Sequence, residues 1–274
     1  MGLLFDQFLT KFQESFKGKK PIVCAVLANV FSMRIVGNKT HGDLAEIALT
    51  EYINEFVEGY SAEHTGKKAF RAKSQEEDIT VTNTKTNEKI KISIKTYGAG
   101  PLQLSTNKEN TMFPFLKANI GEGEVTDPKK IMKILQDKCF SAFSDINILP
   151  LIYDEKDMVF KIIIFNSEKA YQTVRKVKYI PPRKLGPKQT FPIYKFYGTD
   201  DQYIFEVRYG GASANALQRG MWTHTENASD YFNEILKGSY EINEPLIALL
   251  SKIFILRREK HEEILSFLKR PSLE

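Results

Sequence analysis

The sequence predicts a layered fold of helices and antiparallel hairpins, α/β or α+β, and three observations carry that expectation. The first is a pair of alternating segments. Ile79 and Val81 alternate with Thr80 and Thr82, and Ile90, Ile92 and Ile94 alternate with Lys91, Ser93 and Lys95. A period of two puts one set of side chains on each face of a strand, and the polar TNTKTNE between the segments supplies the turn. The second is a repeat of the same signal in ILPLIYDEKDMVFKIIIF, turning at Asp154 to Asp157, and in FPIYKFYGTDDQYIFEVRYG, turning at Gly198 to Asp201. The third is helical spacing of apolar residues on both sides of these hairpins.

From the start of the chain, Leu3, Leu4, Phe8, Leu9, Phe12 and Phe16 fall near helical spacing and predict an amphipathic helix over Leu3 to Phe16. Pro21 to Ile35 is mostly apolar and fits either element type. The next segment, Thr40 to Tyr60, places Leu44, Ile47, Ala48, Ile53, Phe56 and Val57 largely on one face, with Thr40 or Asp43 as cap. Further helices fit Lys129 to Lys138, Ala228 to Lys237 and most of Glu244 to Lys269. Tyr179 to Phe191, YIPPRKLGPKQTF, holds three prolines and one glycine. It reads as a long loop within one body, so residues 1–274 are expected to form a single domain.

Composition narrows the function classes. The chain has 274 residues, 42% hydrophobic and 27% charged, which is globular and excludes a disordered or fibrous chain. Its 39 basic and 34 acidic residues give +5, too mild to name a partner. Two cysteines, Cys24 and Cys139, exclude a disulfide framework and a Cys-rich zinc site, and the four histidines are scattered. No apolar run reaches the ~18 residues of a membrane span, and no signal-peptide core opens the chain. A soluble, cytoplasmic protein is the expectation. GxxxxGK[ST], GxSxG and HExxH are all absent.

One constellation carries chemistry. Glu46 lies on the Thr40–Tyr60 helix, and Asp78 opens the first strand of the hairpin that follows. Ser93 and Lys95 share one face of its partner strand. A lysine and a carboxylate facing each other across a sheet are costly to bury. They make sense where a divalent metal and an anionic substrate complete them.

HGDLAEIALTEY, EEDITV and ISIKTYG, within His41 to Gln103, resemble the core of the PD-(D/E)xK nuclease superfamily, type II restriction endonucleases especially. The resemblance implies an α/β fold with a mixed central sheet flanked by helices, and a catalytic core at about 40–165. It implies Mg²⁺ as cofactor, Asp78 and Glu46 as its ligands, and Lys95 as the motif lysine. Two departures stand out. Glu77 precedes Asp78 where proline is usual, and Ser93 stands where the family has Asp or Glu. The missing acid would come from Glu46, Glu77 or Glu109, or Gln103 in GPLQLST would be a polar partner in catalysis. The implied activity is site-specific hydrolysis of double-stranded DNA by a homodimer, with a DNA methyltransferase encoded nearby. The alternatives are a repair or nicking nuclease of the same fold and a DNA-binding protein without catalysis.

Basic residues support a nucleic-acid partner. Asn166 to Lys195 holds eight basic residues against Glu168 alone, a local +7 that exceeds the whole chain's +5. Lys67, Lys68, Arg71 and Lys73 precede Asp78, and Arg71 and Lys73 are candidate DNA contacts with Ser93. In EVRYGGASANALQRGMWTHT, the residues Arg208, Asn215, Gln218, Arg219 and His224 suit base readout, which places DNA recognition in about 166–230. The other reading keeps Trp222 as a core anchor and Arg219 as an ion-pair partner.

Overall fold

The computed structural model describes residues 3–36, 40–65, 77–107, 109–141, 146–185, 188–189, 191–209 and 219–254. Three helices come first: α1 (Leu3–Ser15), α2 (Lys20–Val36) and α3 (Thr40–Phe56). The ambiguous stretch from Pro21 is therefore helix. Pro21 sits in its first turn, where a missing N–H is harmless. Val23, Leu27, Val30 and Phe31 are buried at helical spacing.

In chain order the first strands are β1 (Tyr60–His64), β2 (Ile79–Asn83), β3 (Lys89–Tyr97), β4 (Pro101–Gln103) and β5 (Glu124–Val125). Then come β6 (Ile146–Asp154), β7 (Val159–Phe165), β8 (Lys176–Ile180), β9 (Lys184–Leu185) and β10 (Lys188–Gln189). The last are β11 (Ile193–Tyr197), β12 (Tyr203–Arg208), β13 (Gly220–His224) and β14 (Phe232–Ser239). Helices α4 (Met112–Ile120), α5 (Pro128–Leu135) and α6 (Lys138–Ser141) lie between β4 and β6, α7 (Ser167–Thr173) follows β7, and α8 (Glu244–Phe254) follows β14.

The protein is thus mixed α/β. Its first sheet has the order β1-β2-β3-β6-β7-β14 and is itself mixed, because β3 and β6 run parallel. The second sheet, β4-β13-β12-β11-β8-β5, is antiparallel throughout. All three hairpins read from the alternation form, with Ile79 opposite Ile92, Leu151 opposite Ile162 and Tyr194 opposite Val207. YIPPRKLGPKQTF, expected as loop, also contains the short ribbon β9–β10.

Two cores result. Helices α1–α3 cover one face of the first sheet, burying Phe8 and Phe12 with Ile79, Val81, Ile92 and Leu151. The second core packs Leu116 and Phe140 against Tyr194, Phe196 and Val207. Ile148 and Phe165 of the first sheet join it. No helix among the described residues is long and apolar enough to cross a membrane.

Two expected helices change. Lys129 to Lys138 divides into α5 and α6 because two aspartates cap separate starts. Asp127 accepts from the Lys129 N–H at 3.1 Å, and Asp137 accepts from the Cys139 N–H at 2.9 Å. Ala228 to Lys237 is not a helix. A single 3₁₀ turn, Ser229–Tyr231, leads into β14, which pairs with β7. The backbone groups of the apolar strand β7 need that partner, and this requirement outweighs local helical spacing. A register shift between Glu234 and Leu236 accommodates the sequence. Of Glu244 to Lys269, the part up to Phe254 is helical and the remainder lies outside the described residues.

Gly238 gives this correction a testable consequence. A Cβ there would stand 2.6 Å from the Phe160 ring and 3.0 Å from Cys24 Sγ. Gly238→Ala is expected to cost about 1–3 kcal/mol in urea unfolding through overpacking. Adding Phe160→Leu should return part of that loss. An unchanged midpoint for Gly238→Ala would contradict the β7–β14 packing.

Candidate functional site

The register of β2 on β3 builds the site. One residue before the Ile79–Ile92 pair, Asp78 comes level with Ser93, and its N–H donates to Ile92 O at 3.0 Å. The isoleucines take the helix-covered face, so Asp78, Ser93 and Lys95 share the other. Ser93 Oγ donates to Asp78 Oδ2 at 2.8 Å, and the Ile94 N–H donates to the same oxygen at 2.7 Å. Lys95 Nζ stands 3.8 Å from that oxygen. Ser93 is only 2% exposed. The side chains of Asp78 and Lys95 are 23% and 27% exposed, which leaves them reachable. Ser93 therefore orients the aspartate.

Glu46 arrives from α3, whose Ala45, Leu49 and Ile53 are buried in the first core. Its Oε2 lies 2.8 Å from His64 Nε2. Burial, and then the charge of Asp78, push the Glu46 carboxyl up to about 6, with the His64 hydrogen bond working against them. The two carboxylates thus sense each other, one from the helix and one from the strand.

His64 escaped the sequence reading, which treated the histidines as scattered. The usable signal was the alternation in YSAEH: Tyr60 and His64 are buried and Ala62 partly so, while Ser61 and Glu63 are exposed. His64 Nδ1 is buried and has no hydrogen-bond partner among the described residues.

The other candidates distribute as follows. Glu77 is 3.7 Å from Lys91 Nζ, and Glu109 lies on an exposed turn before α4. Gln103 belongs to β4 in the second sheet, where its Nε2 donates to Arg219 O at 3.1 Å. Arg219 leads into β13. The next residue, Gly220, has φ +113°, and a Cβ there would collide with the Ser105 carbonyl, so only glycine fits. Arg208 Nε donates to Glu206 Oε1 at 2.5 Å, and its guanidinium lies 4.2 Å from the centre of the Trp222 ring. His224 Nδ1 accepts from the N–H groups of Glu226 and Asn227, both at 3.3 Å, which fixes a turn. The structure therefore gathers Glu46, Asp78, Ser93 and Lys95 at the first sheet and Gln103, Arg208, Arg219 and His224 on the second. Arg71, Lys73, Asn215 and Gln218 lie outside the described residues.

Among the described residues, no group of three or more His, Cys, Asp or Glu side chains is placed to hold a metal ion. Two carboxylates with waters are nonetheless a sufficient donor set for Mg²⁺. The Glu46 shift, set first by burial and then by the Asp78 charge, puts these two carboxylates within electrostatic reach of each other, and that donor chemistry fits such an ion. Cys139 offers no competing chemistry, since burial and Asp137 push its thiol up to about 12.

The Glu46 shift fixes a pH dependence. A carboxyl raised in the folded state makes the native protein hold its proton longer than the unfolded chain does. That contribution to stability is present at low pH and is lost as pH rises from 4.5 through about 6. In chelator, the native protein should lose about 1–2 kcal/mol relative to Glu46→Gln across that window. Denaturant titrations of both proteins at a series of pH values measure it. A pH-independent difference would mean Glu46 is not buried beside Asp78.

Set against known proteins, the chain matches no family model, no curated protein and no solved structure, so the geometry itself carries the functional reading.

Proposed function

We propose that this protein is a Mg²⁺-dependent, site-specific endonuclease of double-stranded DNA, of the PD-(D/E)xK type and like the type II restriction enzymes. The observation that carries this reading is the Asp78 carboxylate. It is held by Ser93 and the Ile94 N–H, with Lys95 Nζ at 3.8 Å and the Glu46 carboxyl within electrostatic reach. The order of parts supports the reading: a glutamate-bearing helix, Asp78 just before β2, and Lys95 near the end of β3, with β2 and β3 in a mixed sheet of the kind a restriction endonuclease-like fold would need.

Asp78 and Glu46 would hold the ion, which when bound neutralises phosphate charge and acidifies water. The chain's own groups do the rest. Ser93 and the Ile94 N–H fix the aspartate, so its geometry is set before substrate arrives. His64 fixes Glu46 in the same way. Lys95, half-open beside Asp78, faces the position of a phosphodiester and stabilises charge that develops there, or positions the attacking water. Cutting both strands calls for a homodimer, and a methyltransferase would protect the host's own sites. Such an enzyme works in the cytoplasm.

Plasmid incubated with Mg²⁺, with and without chelator, tests the reading. Discrete fragments are expected with metal alone. Nicked circles would indicate a repair or nicking enzyme, and a gel shift without cleavage would overturn catalysis. Asp78→Asn should abolish cleavage and leave DNA binding intact or tighter, because it removes one negative charge near phosphate. Lys95→Ala should cost at least ~100-fold in rate with little change in melting temperature.

Two further variants separate holding the metal from holding its ligands. His64→Phe should raise the Mg²⁺ requirement by about 10- to 100-fold, as loss of a ligand's supporting partner does. Ser93→Asp restores the usual family residue, yet it would set a second buried carboxylate against Asp78. Activity should fall or shift to higher Mg²⁺. A metal curve unmoved by Ser93→Asp would take the site off this hairpin.

A further inference from the structure

The second sheet has a face that the hydrolytic site does not use. Tyr194 and Phe196 are fully buried in the core, so Ile193, Lys195 and Tyr197 lie on the opposite side. Cations and rings interleave on that side. Lys176 Nζ is 5.2 Å from the centre of the Tyr197 ring, Lys195 Nζ is 5.6 Å from that of Tyr203, and Arg208 Cζ is 4.2 Å from that of Trp222. Between β11, β12 and the approach to β11 is an open cleft of about 690 Å³. Arg183, Phe191, Lys195, Glu206, Arg208 and Trp222 are among its lining residues.

Size, charge and shape together restrict the occupant. Three cations and one carboxylate leave +2 in the lining, and that carboxylate, Glu206, is held by Arg208. An anion is therefore favoured. The apolar part of the lining sets the rings of Phe191, Tyr209 and Trp222 beside Ile180, Pro181 and Ile193, and Phe191 is 48% exposed although it is a large hydrophobic residue. A nucleotide joins an anion to a flat ring and so matches both parts of the lining. The volume falls within the ~300–1,000 Å³ of small-ligand sites, too small for a duplex and right for one or two nucleotides. Trp222 Nε1 is buried without a partner among the described residues, and Glu206 offers an acceptor of the kind that reads cytosine N4.

We infer that this cleft holds unpaired nucleotides of a DNA strand. Their phosphates meet Lys195 and Arg183, and their bases lie against Phe191 and Trp222. The inference rests on the nuclease reading only for the polymer being DNA. It assigns the second sheet the task of gripping a strand while the first sheet performs hydrolysis.

Trp222 is the only tryptophan of the chain, so its fluorescence reports on this cleft and nowhere else. In chelator, a short single-stranded oligonucleotide should quench it in a salt-dependent way, and more tightly than the duplex of the same sequence. Phe191→Ala and Lys195→Ala should each weaken that binding by about 5- to 100-fold, with Lys195→Ala also flattening the salt dependence. Phe191 is exposed, so its variant should keep the native melting temperature. Asp78→Asn should leave the titration unchanged.

The inference falls if DNA shifts the protein on a gel without changing Trp222 fluorescence. It falls if both cleft variants bind as the native protein does, or if a free nucleoside monophosphate binds as tightly as the strand. None of these results touches Mg²⁺-dependent plasmid cleavage. Conversely, quenching without cleavage would remove the nuclease reading and leave the cleft standing.

Discussion

Pairing Ile79 with Ile92 is the constraint from which the candidate site follows. It commits every second residue of β2 and β3 to the core under α1–α3, where Ile79 and Ile92 are at most 1% exposed. A one-residue slip would drive Ser93 and Lys95 into that core and expose the isoleucines, so the register is held by the whole apolar face. With the register fixed, Asp78, Ser93 and Lys95 have no choice of side. The isoleucine row continues to β1, where His64 pairs with Ile79 and meets Glu46 from the covering helix, and from that side Glu46 senses the Asp78 charge. Packing energy from the isoleucines thus positions polar groups that could not hold themselves in place.

The parallel pairing of β3 with β6 has a second consequence. Parallel neighbours need a crossover, and here it runs from residue 98 to residue 145 and carries β4, β5 and α4–α6. Those elements bury apolar faces of their own, and β8 and β11–β13 close around them as a second sheet and core. The two cores are therefore products of one topological requirement. Gln103 illustrates the separation. Only eight positions along the chain divide it from Lys95, yet it belongs to the other sheet and anchors the Arg219 carbonyl.

Legibility in the sequence tracked how local the deciding interaction was. Whereas α2, apolar without a clear period, leaves its element type open, the three hairpins, α1 and α3 rest on periodicity within a single segment, and they form as read. Strand β14 does not, because its state is set by β7, some seventy residues earlier in the chain. No local sign opposes the expected helix: Gly238 falls one position past its end, where glycine is common, and only the fold shows that Phe160 leaves no room there for a side chain. At the site, Glu46, Asp78, Ser93 and Lys95 could be chosen from residue type and alternation. The role of Ser93 could not, since a hydroxyl aimed at a carboxylate on the next strand looks in sequence like a missing acid. His64 was hidden for the same reason. Only the fold brings β1 beneath α3.

A serine rather than an acid at position 93 sets the charge of the proposed centre. Asp78 and Glu46 against Lys95 give a net −1 when both carboxyls are ionised. A third carboxylate at position 93 would make it −2, beside a Glu46 carboxyl whose pKa burial and Asp78 already raise. Ser93 instead supplies a hydrogen-bond donor to Asp78 and adds no charge. Bringing in one divalent cation would leave such a centre at +1, attractive to a phosphodiester, whereas a three-carboxylate centre with one cation would be neutral. Fewer ligands would weaken the hold on that cation, and the buried His64–Glu46 contact answers that cost by keeping the second carboxylate in position without the ion.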